Sequence, residues 1–587
     1  MTASLPWRYT VALWVDRPRA TISRMWNRSS RPASEPRGPA LAPKREPWTW
    51  TASTETAALS LSAFWLVAAN VPFLAAALKE RAWADPSAWG FAAALALMVV
   101  ALHFLLVALV GLGHAFKPLA ALLILGTAFA SHFMDRFGVY LDPSMLRNVL
   151  RTDTKEAAEL FSWSLLPHLV WQAGLPLVAL WRLRLVQRSF VRAAAVRAGA
   201  LLVAAVLIVA SILSVFQPFS SLMRNQKELR YLITPANYLW SLGSVLAADA
   251  KGAAAPRQAI GLDAAKGPGW TQRTRPTVLV FVVGETARAA NWALSGYARQ
   301  TTPELVATPG VINFAQVTSC GTNTEVSLPC MFAPVGRRAY DEDRIRGSES
   351  LLHVLARAGL GVQWVDNQSG CKGVCDGLPT AFVKDWNPPG LCTGGRCLDE
   401  GLLHGLPDRL AKAQGAQVLF LHQLGNHGPS YFRRHPPAFA RFQPACERDD
   451  LRECSREQIV NAYDNSLLYT DHLLATLIRQ LKSASERGVD TALIYVSDHG
   501  ESLGENNLFL HGIPYAIAPE VQRRVPMVMW FSPGFAQGSG VDLACLAQRA
   551  SQPAAHDHLF HTVLGLMDVR TALHEPAWDL TAACRKP

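Results

Sequence analysis

The sequence predicts a chain of two parts, a helical membrane domain followed by an α/β domain. Charged residues make up only 17% of the 587 residues, and the shortage lies almost entirely before residue 220, whereas soluble domains carry roughly 25%. After Pro276, short apolar β-branched runs alternate with segments of helical periodicity, which is typical of α/β domains with a parallel sheet. The expected fold class is α/β with an N-terminal set of transmembrane helices.

Five apolar stretches without Asp, Glu, Lys or Arg predict five transmembrane helices, since a bilayer needs about 20 such residues. The alternative is a buried helical core in a soluble domain, which is disfavoured because the stretches follow one another so closely. They are Ala57–Leu78, Phe91–Val110, Pro118–Met134, Ser162–Trp181 and Ala198–Met223.

Basic residues in the connections predict the orientation of these helices. Residues 1–50 carry nine Lys/Arg against three Asp/Glu, and Arg182–Arg197 carries five Arg and no acid. Both segments are expected to be cytoplasmic, so five spans place everything after Met223 on the outside. The net charge of +11 suits an anionic membrane surface, and nucleic acid is not an expected partner because no recognition motif accompanies the charge.

The connection after the fifth stretch is predicted to combine an interfacial helix with flexible chain. The segment RNQKELRYLITPANYLWSLGSV mixes charges with Tyr, Leu and Trp, as amphipathic helices at a membrane surface do. The next segment, AADAKGAAAPRQAIGLDAAKGPG, is rich in Ala, Gly and Pro and is predicted to be flexible. The expected organisation is a basic cytoplasmic tail (1–55), a transmembrane domain (56–219), an interfacial helix and linker (220–275) and an outer α/β domain (276–587).

Ten cysteines, all at or after Cys320, predict disulfides in an oxidising compartment. This agrees with the predicted orientation, which depends on different residues. Metal binding through the CxxxC and CxxxxC spacings is the alternative, and spacing alone does not fix the connectivity. The expected pairs are Cys320–Cys330, Cys371–Cys375, Cys392–Cys397 and Cys446–Cys454, with Cys545 and Cys584 left to pair with each other.

Three apolar runs of the α/β part end in side chains that bind metals. TVLVFVVGE ends in Glu285, TALIYVSDHGE carries Asp498 and His499, and AQVLFLHQLGNHG carries His427. Ligands bind outside the carboxyl ends of strands in open α/β sheets, so these side chains are expected to converge. Carboxylate oxygens together with an imidazole nitrogen suit zinc, although a single acid after a strand is usually a helix cap.

A reactive oxygen for such a site is expected within CGTNTEVSLPC, where a Cys320–Cys330 disulfide would hold Thr324 in place. A threonine hydroxyl is a poor nucleophile at neutral pH, but coordination to a metal ion favours its alkoxide. The same ion can polarise a phosphoryl oxygen. Thr324 is therefore the candidate nucleophile of the metal site.

Five longer motifs resemble those of one family. VGETAR, TSCGTNTEVSLPCMF, GNHGPSY, NAYDNSLLYTD and VSDHGESLGENNLFLHGIPYAIAP are similar to motifs of the lipid A phosphoethanolamine transferases, which include the mobile colistin-resistance enzymes. The resemblance extends over essentially the whole chain from the first span. It implies an inner-membrane domain of five helices followed by an alkaline-phosphatase-like, sulfatase-like α/β/α catalytic domain in the bacterial periplasm.

The resemblance also implies roles for individual residues. A tightly held zinc would be bound by Glu285, Thr324, Asp498 and His499, with Thr324 also the nucleophile. A second, weaker zinc would sit near the transferred phosphate, where the catalytic candidates are His427 and His511. Substrate binding is implied for Asn148, Glu156, Lys372 and Glu501, with Glu156 facing the ethanolamine ammonium and Lys372 the phosphate. Glu325 departs from the family, which commonly has a small residue after the nucleophile.

The implied reaction has two steps. Thr324 takes phosphoethanolamine from phosphatidylethanolamine with release of diacylglycerol, and a phosphate of lipid A then takes it from the phosphothreonine. The protein would act as a monomer among membrane lipids, and the masked lipid A phosphates would attract cationic polymyxins less strongly.

Other functions remain as alternatives. Transfer to another periplasmic glycan and transfer of glycerol phosphate are the nearest of these. A sulfatase would need a CxPxR motif, which CGTNT lacks, and a non-catalytic lipid receptor would have lost a metal ligand or the nucleophile.

Overall fold

The structure is a computed structural model that describes residues 49–585 except 80, 111–112, 153 and 255–256. The predicted basic tail therefore lies almost entirely outside the described residues. The α-helices are α1 Thr54–Ala68, α2 Val71–Leu78, α3 Pro86–Val110, α4 Phe116–Phe137, α5 Pro143–Arg151, α6 Thr154–Glu159, α7 Leu165–Leu169, α8 Leu175–Arg182, α9 Phe190–Ser214, α10 Phe216–Asn225, α11 Ala236–Ala254, α12 Pro303–Ala307, α13 Thr324–Met331, α14 Glu342–Gly347, α15 Leu351–Arg357, α16 Val383–Trp386, α17 Leu406–Ala411, α18 Arg456–Glu486, α19 Glu520–Arg523, α20 Pro533–Ser539, α21 Leu543–Arg549 and α22 Leu559–Leu566.

All but two of the strands lie after the last long helix of the membrane part, as the sequence predicts for the α/β domain. The strands are β1 Trp50–Ala52, β2 Leu183–Leu185, β3 Ala265–Lys266, β4 Thr277–Gly284, β5 Ile312–Thr318, β6 Gly361–Asp366, β7 Thr380–Phe382, β8 Cys392–Thr393, β9 Arg396–Cys397, β10 Ala416–His422, β11 Asp490–Ser497, β12 Ser502–Leu503, β13 Phe509–Leu510, β14 Arg524–Phe531, β15 Ala554–Ala555 and β16 Val569–Arg570.

All five stretches predicted to cross the membrane are helical. Helices α3, α4 and α9 are each long and apolar enough to span a bilayer, and α1 with α2 forms a fourth candidate that is bent by 57°. The stretch Ser162–Trp181 is divided between α7 and α8, which a π-helical turn at Val170–Gly174 connects. By length and composition, three or four spans are present among the described residues. The remaining predicted span, Ser162–Trp181, is not counted among them because it is divided between two short helices.

The bend between α1 and α2 is held by Asn70. Its Nδ2 donates to the carbonyl oxygens of Trp65 at 2.9 Å and Thr234 at 2.7 Å, and its Oδ1 accepts from the Thr234 amide at 3.0 Å. Pro72 lies in the first turn of α2, where a missing amide donor is tolerated. Irregular backbone among membrane helices is stable only when its polar groups are satisfied in this way.

The connection to the α/β part differs from the sequence prediction. It is not one interfacial helix, because α10 is followed by a 3₁₀ turn at Lys227–Leu232 and α11 begins only at Ala236. Pro235 explains the interruption, since the residue before a proline avoids the helical conformation. Within the segment predicted to be flexible, the described residues include regular structure, because α11 continues to Ala254 and β3 pairs with β16.

The central sheet has eight strands in the order β15-β5-β14-β11-β4-β10-β6-β7. The three strands predicted to carry the metal ligands, β4, β10 and β11, are parallel neighbours with β4 in the middle, as expected. The sheet as a whole is mixed, because β14 runs antiparallel to both β11 and β5. The expectation of a parallel sheet is therefore wrong for β14, whose buried apolar sequence carries no sign of its direction.

Apolar layers cover both faces of this sheet. Val280 and Leu493 face the long helix α18, while Phe281 and Ile494 face α15 and α22. The α18 layer continues into membrane-proximal residues such as Leu229, so one apolar cluster joins the membrane part to the α/β part. The α/β/α arrangement implied by the motifs is confirmed.

All five expected disulfides are present, including Cys545–Cys584. No cysteine in the described part of the chain is free. The disulfide interpretation of the cysteine spacing is confirmed, and the metal-binding alternative for these residues is excluded.

The longest disulfide loop gives a prediction for stability. Cys545 and Cys584 are 39 residues apart, and closing such a loop stabilises the folded state by about 4 kcal/mol in the chain-entropy description. We expect the double substitution Cys545→Ser/Cys584→Ser to lower the melting temperature of the purified chain clearly more than Cys392→Ser/Cys397→Ser. The latter pair closes a loop of only 5 residues, worth about 2 kcal/mol. Equal shifts in thermal unfolding would contradict the prediction.

Candidate active site

The ends of two neighbouring strands and the start of one helix form a buried polar cluster. Glu285 directly follows β4, Asp498 and His499 follow β11, and Thr324 is the first residue of α13. Glu285, Asp498 and His499 are completely buried, and Thr324 is 4% exposed. One ligand atom from each of Glu285, Asp498 and His499 lies within 4.8 Å of the others. The predicted convergence is therefore present for the ends of β4 and β11, whereas His427, which follows β10, is not part of this group.

The atoms of this cluster face one another at short distances. His499 Nε2 lies 3.2 Å from Glu285 Oε1 and 3.5 Å from Asp498 Oδ2. Thr324 Oγ1 lies 3.1 Å from Glu285 Oε2 and 3.4 Å from His499 Nε2. Two carboxylates, one imidazole and one hydroxyl thus surround a single point.

Backbone contacts orient these ligands. The Nδ1 of His499 donates to the Gly500 carbonyl at 2.9 Å, which turns the Nε2 lone pair toward the carboxylates. Asp498 Oδ1 accepts from the amides of His499 at 2.7 Å and Thr286 at 3.2 Å, whereas Oδ2 is buried without a hydrogen-bond partner. An unpartnered buried carboxylate oxygen is a costly arrangement, and a divalent cation at this point would satisfy it.

The charges of the cluster also fit a cation. Burial, and next to it the neighbouring Glu285, raise the pKa of Asp498. Two neighbouring buried carboxylates repel each other when both are ionised. A metal ion between them removes this repulsion and stabilises both charges. The residues present therefore fit a divalent metal, and their donor set of oxygens with one nitrogen suits zinc.

Local structure fixes Thr324 in this position. Asn323 caps α13 by accepting from the Val326 amide at 3.0 Å, and the Cys320–Cys330 disulfide encloses the segment, as predicted. The loop after β10 presses on the other side, where a Cβ at Gly425 would lie 2.5 Å from the Glu285 carbonyl oxygen. Only glycine allows this approach, and Gly425 has a positive φ of 56°.

Two histidines lie next to the cluster. The ring of His511 is centred 4.4 Å from that of His499 and 5.1 Å from that of His427. His511 Nδ1 donates to Glu501 Oε2 at 2.8 Å, and Tyr431 donates to Glu501 Oε1 at 2.6 Å. Glu501 thus contacts His511 and Tyr431, and its implied role in substrate binding stays a prediction.

The membrane-proximal helix α6 reaches this layer through Glu156. Its Oε1 lies 2.9 Å from His427 Nε2. Burial alone would lower the pKa of His427, but Glu156 outweighs burial and raises that pKa to about 9. Burial would raise the pKa of Glu156, but His427 lowers it to about 2. The two side chains therefore form an ion pair at neutral pH, whereas burial lowers the pKa of His511 and keeps it neutral.

Of the other two residues expected to bind substrate, Lys372 lies near the nucleophile segment and Asn148 does not contact the cluster. Lys372 Nζ donates to Ser369 Oγ at 2.7 Å and lies 3.3 Å from Oε1 of Glu325, the residue after Thr324. Asn148 lies on α5, and in the described part of the chain its side chain has no hydrogen-bond partner. The structure thus places Lys372 beside the nucleophile segment and gives no contact of Asn148 with the cluster.

Sequence reasoning missed two residues of the site. Gln368 Nε2 donates to Glu285 Oε2 at 3.2 Å, and Tyr431 holds Glu501. Tyr431 is the last letter of the GNHGPSY motif, so its position was available in the sequence. Gln368 follows β6 in DNQSG, where only the order of the strands reveals that it faces Glu285.

Comparisons with known proteins agree with this arrangement. Residues 277–569 match the sulfatase family model, and residues 99–250 match the N-terminal model of the phosphoethanolamine transferases EptA/EptB. The chain is 39% identical over 486 residues to phosphoethanolamine transferase EptA of Salmonella typhimurium, covering 80% of this chain and 86% of that protein. It is 36% identical over 521 residues to phosphatidylethanolamine transferase Mcr-2 of Escherichia coli, covering 87% and 94%.

A solved structure extends the similarity to both parts of the chain. The integral membrane protein lipooligosaccharide phosphoethanolamine transferase A of Neisseria meningitidis superposes with a TM-score of 0.85 at 36% identity, covering 92% of this chain and 100% of that one. The membrane helices and the sulfatase-like α/β domain therefore occur together in a relative, and the predicted fold class is confirmed. The chain belongs to the lipid A phosphoethanolamine transferase family, as its motifs predicted.

Proposed function

We propose that this phosphoethanolamine transferase moves phosphoethanolamine from phosphatidylethanolamine to a phosphate of lipid A through an ester on Thr324. The observation that supports this most directly is the position of Thr324 Oγ1, which lies 3.1 Å from Glu285 and 3.4 Å from His499 within the buried cluster. The protein is a multi-pass protein of the inner membrane with its catalytic domain in the periplasm, where both lipids are within reach.

The cluster would hold one zinc ion tightly. Its ligands would be Glu285, Asp498, His499 and the Thr324 oxygen. The ion would also give the buried Asp498 Oδ2 the partner that it lacks. When bound, zinc supplies positive charge that favours the alkoxide of the nucleophile and offsets charge on the transferred phosphate. A second, weaker ion would have His427 and His511 as its nearest ligands and would displace the proton of His427, whose Nδ1 is buried without a hydrogen-bond partner.

The protein's own groups position the substrate and move protons. Lys372 lies beside the nucleophile segment through Ser369, where its ammonium would offset the charge of the phosphate. Glu156 would meet the ethanolamine ammonium, because it is an ionised carboxylate at the rim of the site. His511 is neutral and its Nδ1 is committed to Glu501, so its Nε2 is the atom able to accept a proton.

Transfer to lipid A would change the electrostatics of the cell surface. A phosphoethanolamine group adds an ammonium to a phosphate and so reduces the net negative charge of lipid A. Cationic polymyxins would then bind less strongly, because their attraction to the surface scales with its charge. Resistance to polymyxins is thus a proposed consequence of the activity.

The preference for one donor lipid over another distinguishes the proposed reaction from glycerol-phosphate transfer. The purified full-length chain, loaded with zinc, is incubated with fluorescent phosphatidylethanolamine or with fluorescent phosphatidylglycerol. We expect diacylglycerol to be released from phosphatidylethanolamine at least about tenfold faster, because Glu156 would bind an ammonium and phosphatidylglycerol has none. Faster release from phosphatidylglycerol would favour a glycerol-phosphate transferase instead.

The acceptor needs a separate measurement. Mass spectrometry of lipid A from cells that lack related enzymes and express this chain should show added phosphoethanolamine. If lipid A stays unmodified although the protein is well expressed and releases diacylglycerol, the acceptor is another periplasmic glycan.

A further inference from the structure

Two carboxylates of the short helix α6 face the catalytic domain. Glu156 and Glu159 lie three residues apart on α6, so their side chains leave the helix on the same face. Both line a cavity of about 250 Å³ that also contains His427 and Arg434. Glu156 contacts His427 there at 2.9 Å. Glu159 is buried, with 3% of its surface exposed, and the proposed reaction gives it no role.

We propose that Glu159 is a positioning residue for the donor lipid. Through two arginines it fixes α6 to the catalytic domain, and α6 in turn fixes the carboxylate of Glu156 where the ethanolamine ammonium would bind. This inference rests on the proposed function and deepens it, because it names the group that sets the place of the ammonium-binding carboxylate.

Arg434 holds Glu159 with two nitrogens of its guanidinium group. Its Nη2 contacts Glu159 Oε2, and its Nη1 lies 3.3 Å from Glu159 Oε1. The side chains of both residues are almost completely buried. A bidentate pair of planar groups fixes the direction of the contact as well as its length. The orientation of Glu159 is therefore set by the catalytic domain.

A second arginine contacts the same carboxylate. Arg396 Nη1 contacts Glu159 Oε1. Arg396 belongs to β9, which pairs with β8, and a disulfide between Cys392 and Cys397 joins the two strands. Burying a carboxylate costs free energy unless it is fully paired, and two guanidinium groups provide that pairing. Glu159, Arg434 and Arg396 together form the α6 clamp.

Arg434 also connects the α6 clamp to His427. Its Nε donates to the His427 carbonyl oxygen at 2.6 Å, and the His427 side chain contacts Glu156. These contacts form a closed ring that leaves α6 at Glu159 and returns to it at Glu156. In such a ring, a displacement of Glu159 moves Glu156 relative to His427.

Helix α6 depends on contacts of this kind to keep its place. It has only six residues, and isolated helices shorter than about 12 residues are marginal in water. The exposed aromatic residues Phe161 and Trp163 follow it, and such residues are typical of membrane–water interfaces. Helix α6 therefore lies where phospholipid head groups are expected, and the α6 clamp determines where its carboxylates point.

The position of Glu156 should affect binding of the donor more than the chemical step. A carboxylate that is already held in place loses less freedom when it binds an ammonium than a mobile one does. The ammonium takes no part in the bonds that form and break at phosphorus. Its contact therefore stabilises the bound donor and the transition state about equally, and loss of such a contact appears in KM and not in kcat.

The test is a double-mutant cycle on the purified full-length chain loaded with zinc. Glu159→Gln, Glu156→Gln and the double variant are compared with the unaltered protein. Diacylglycerol release from fluorescent phosphatidylethanolamine gives KM and kcat, and zinc content and thermal unfolding are measured for every variant. The matched control is Asp579→Asn, which removes another buried carboxylate that binds an arginine, Arg585 at 2.6 Å.

We expect Glu159→Gln to raise the KM for phosphatidylethanolamine roughly tenfold and to lower kcat by less than about threefold. In the presence of Glu156→Gln, the same substitution should change KM by less than about twofold, because Glu159 acts through Glu156. Glu159→Asp keeps the charge on a shorter side chain, and its KM should lie between those of the unaltered protein and Glu159→Gln. Asp579→Asn should lower the melting temperature and leave KM unchanged.

Other results would overturn the proposal. Effects of the two substitutions that multiply in the double variant would show that Glu159 acts independently of Glu156. A fall in kcat and zinc content with an unchanged KM would show that the α6 clamp only supports the fold of the site. Both outcomes leave the proposed function standing. An unchanged KM in Glu156→Gln would reject the ammonium contact together with this proposal, and absence of diacylglycerol release from the unaltered protein would reject the proposed function itself.

Discussion

Replacing Thr324 by alanine is expected to reduce phosphoethanolamine transfer by at least about 10³-fold, because removal of a nucleophile ends covalent catalysis. The structure gives this hydroxyl no role in stability that would explain such a loss. Its contacts are to Glu285 and His499 within the cluster, and the segment is held by the Asn323 cap and the Cys320–Cys330 disulfide. The variant should therefore fold, and it should still bind zinc, although more weakly.

Three measurements check this result. Mass spectrometry of lipid A gives the transfer, intact-protein mass after incubation with phosphatidylethanolamine gives the covalent intermediate, and elemental analysis gives the zinc content. Thr322→Ala is the matched control, since Thr322 lies in the same disulfide loop but donates its hydroxyl to the Ile513 carbonyl at 2.7 Å. It should retain most of the activity. Full turnover by Thr324→Ala, or a phosphoethanolamine adduct on it, would show that another residue is the nucleophile.

The site could be predicted from the sequence where strand ends determine it. Glu285, Asp498 and His499 each follow an apolar run that had to be a buried strand, and parallel neighbours bring such ends together. Their ligand atoms indeed lie within 4.8 Å. Gln368 could not be found in this way, because β6 is separated from β4 by β10 and only this order brings its loop to Glu285.

Two errors of the sequence analysis have identifiable causes. The direction of β14 is absent from its sequence, since RVPMVMWF is apolar on both faces whichever way it runs. The Ala-rich segment 247–269 is predicted to be flexible, but alanine has the highest helix propensity, and α11 continues into this segment as far as Ala254.

In the membrane part, hydropathy predicts where the helices lie but not the long-range contacts that shape them. Hydropathy located all five stretches, but the bend between α1 and α2 depends on Asn70, which binds Thr234 across 164 positions of sequence. Such a contact leaves no periodic signal. The two residues of the Glu156–His427 ion pair are still farther apart in the sequence, and only the family resemblance indicates that a membrane-proximal helix contributes to the site.

Removing the metal is expected to abolish transfer and to destabilise the protein. Without a cation, two carboxylates share a fully buried site, and Asp498 Oδ2 has no partner. A ligand that binds only the folded state at 1,000 times its Kd stabilises it by about 4 kcal/mol, so a chelator should lower the melting temperature by several degrees. Stoichiometric zinc should restore both activity and melting temperature.

The variant Asp498→Asn distinguishes a metal ligand from a structural acid. It should lose most of the bound zinc and at least about 10²-fold in activity, because a coordinating carboxylate is replaced by a weaker amide donor. Asp464→Asn is the control, since Asp464 is equally buried but lies on α18 and pairs with Arg299 at 3.1 Å. It should lower the melting temperature and keep the zinc. If both variants keep zinc equally, the cluster of Glu285, Asp498 and His499 is not the site that binds it, and activation of Thr324 must be assigned to other groups.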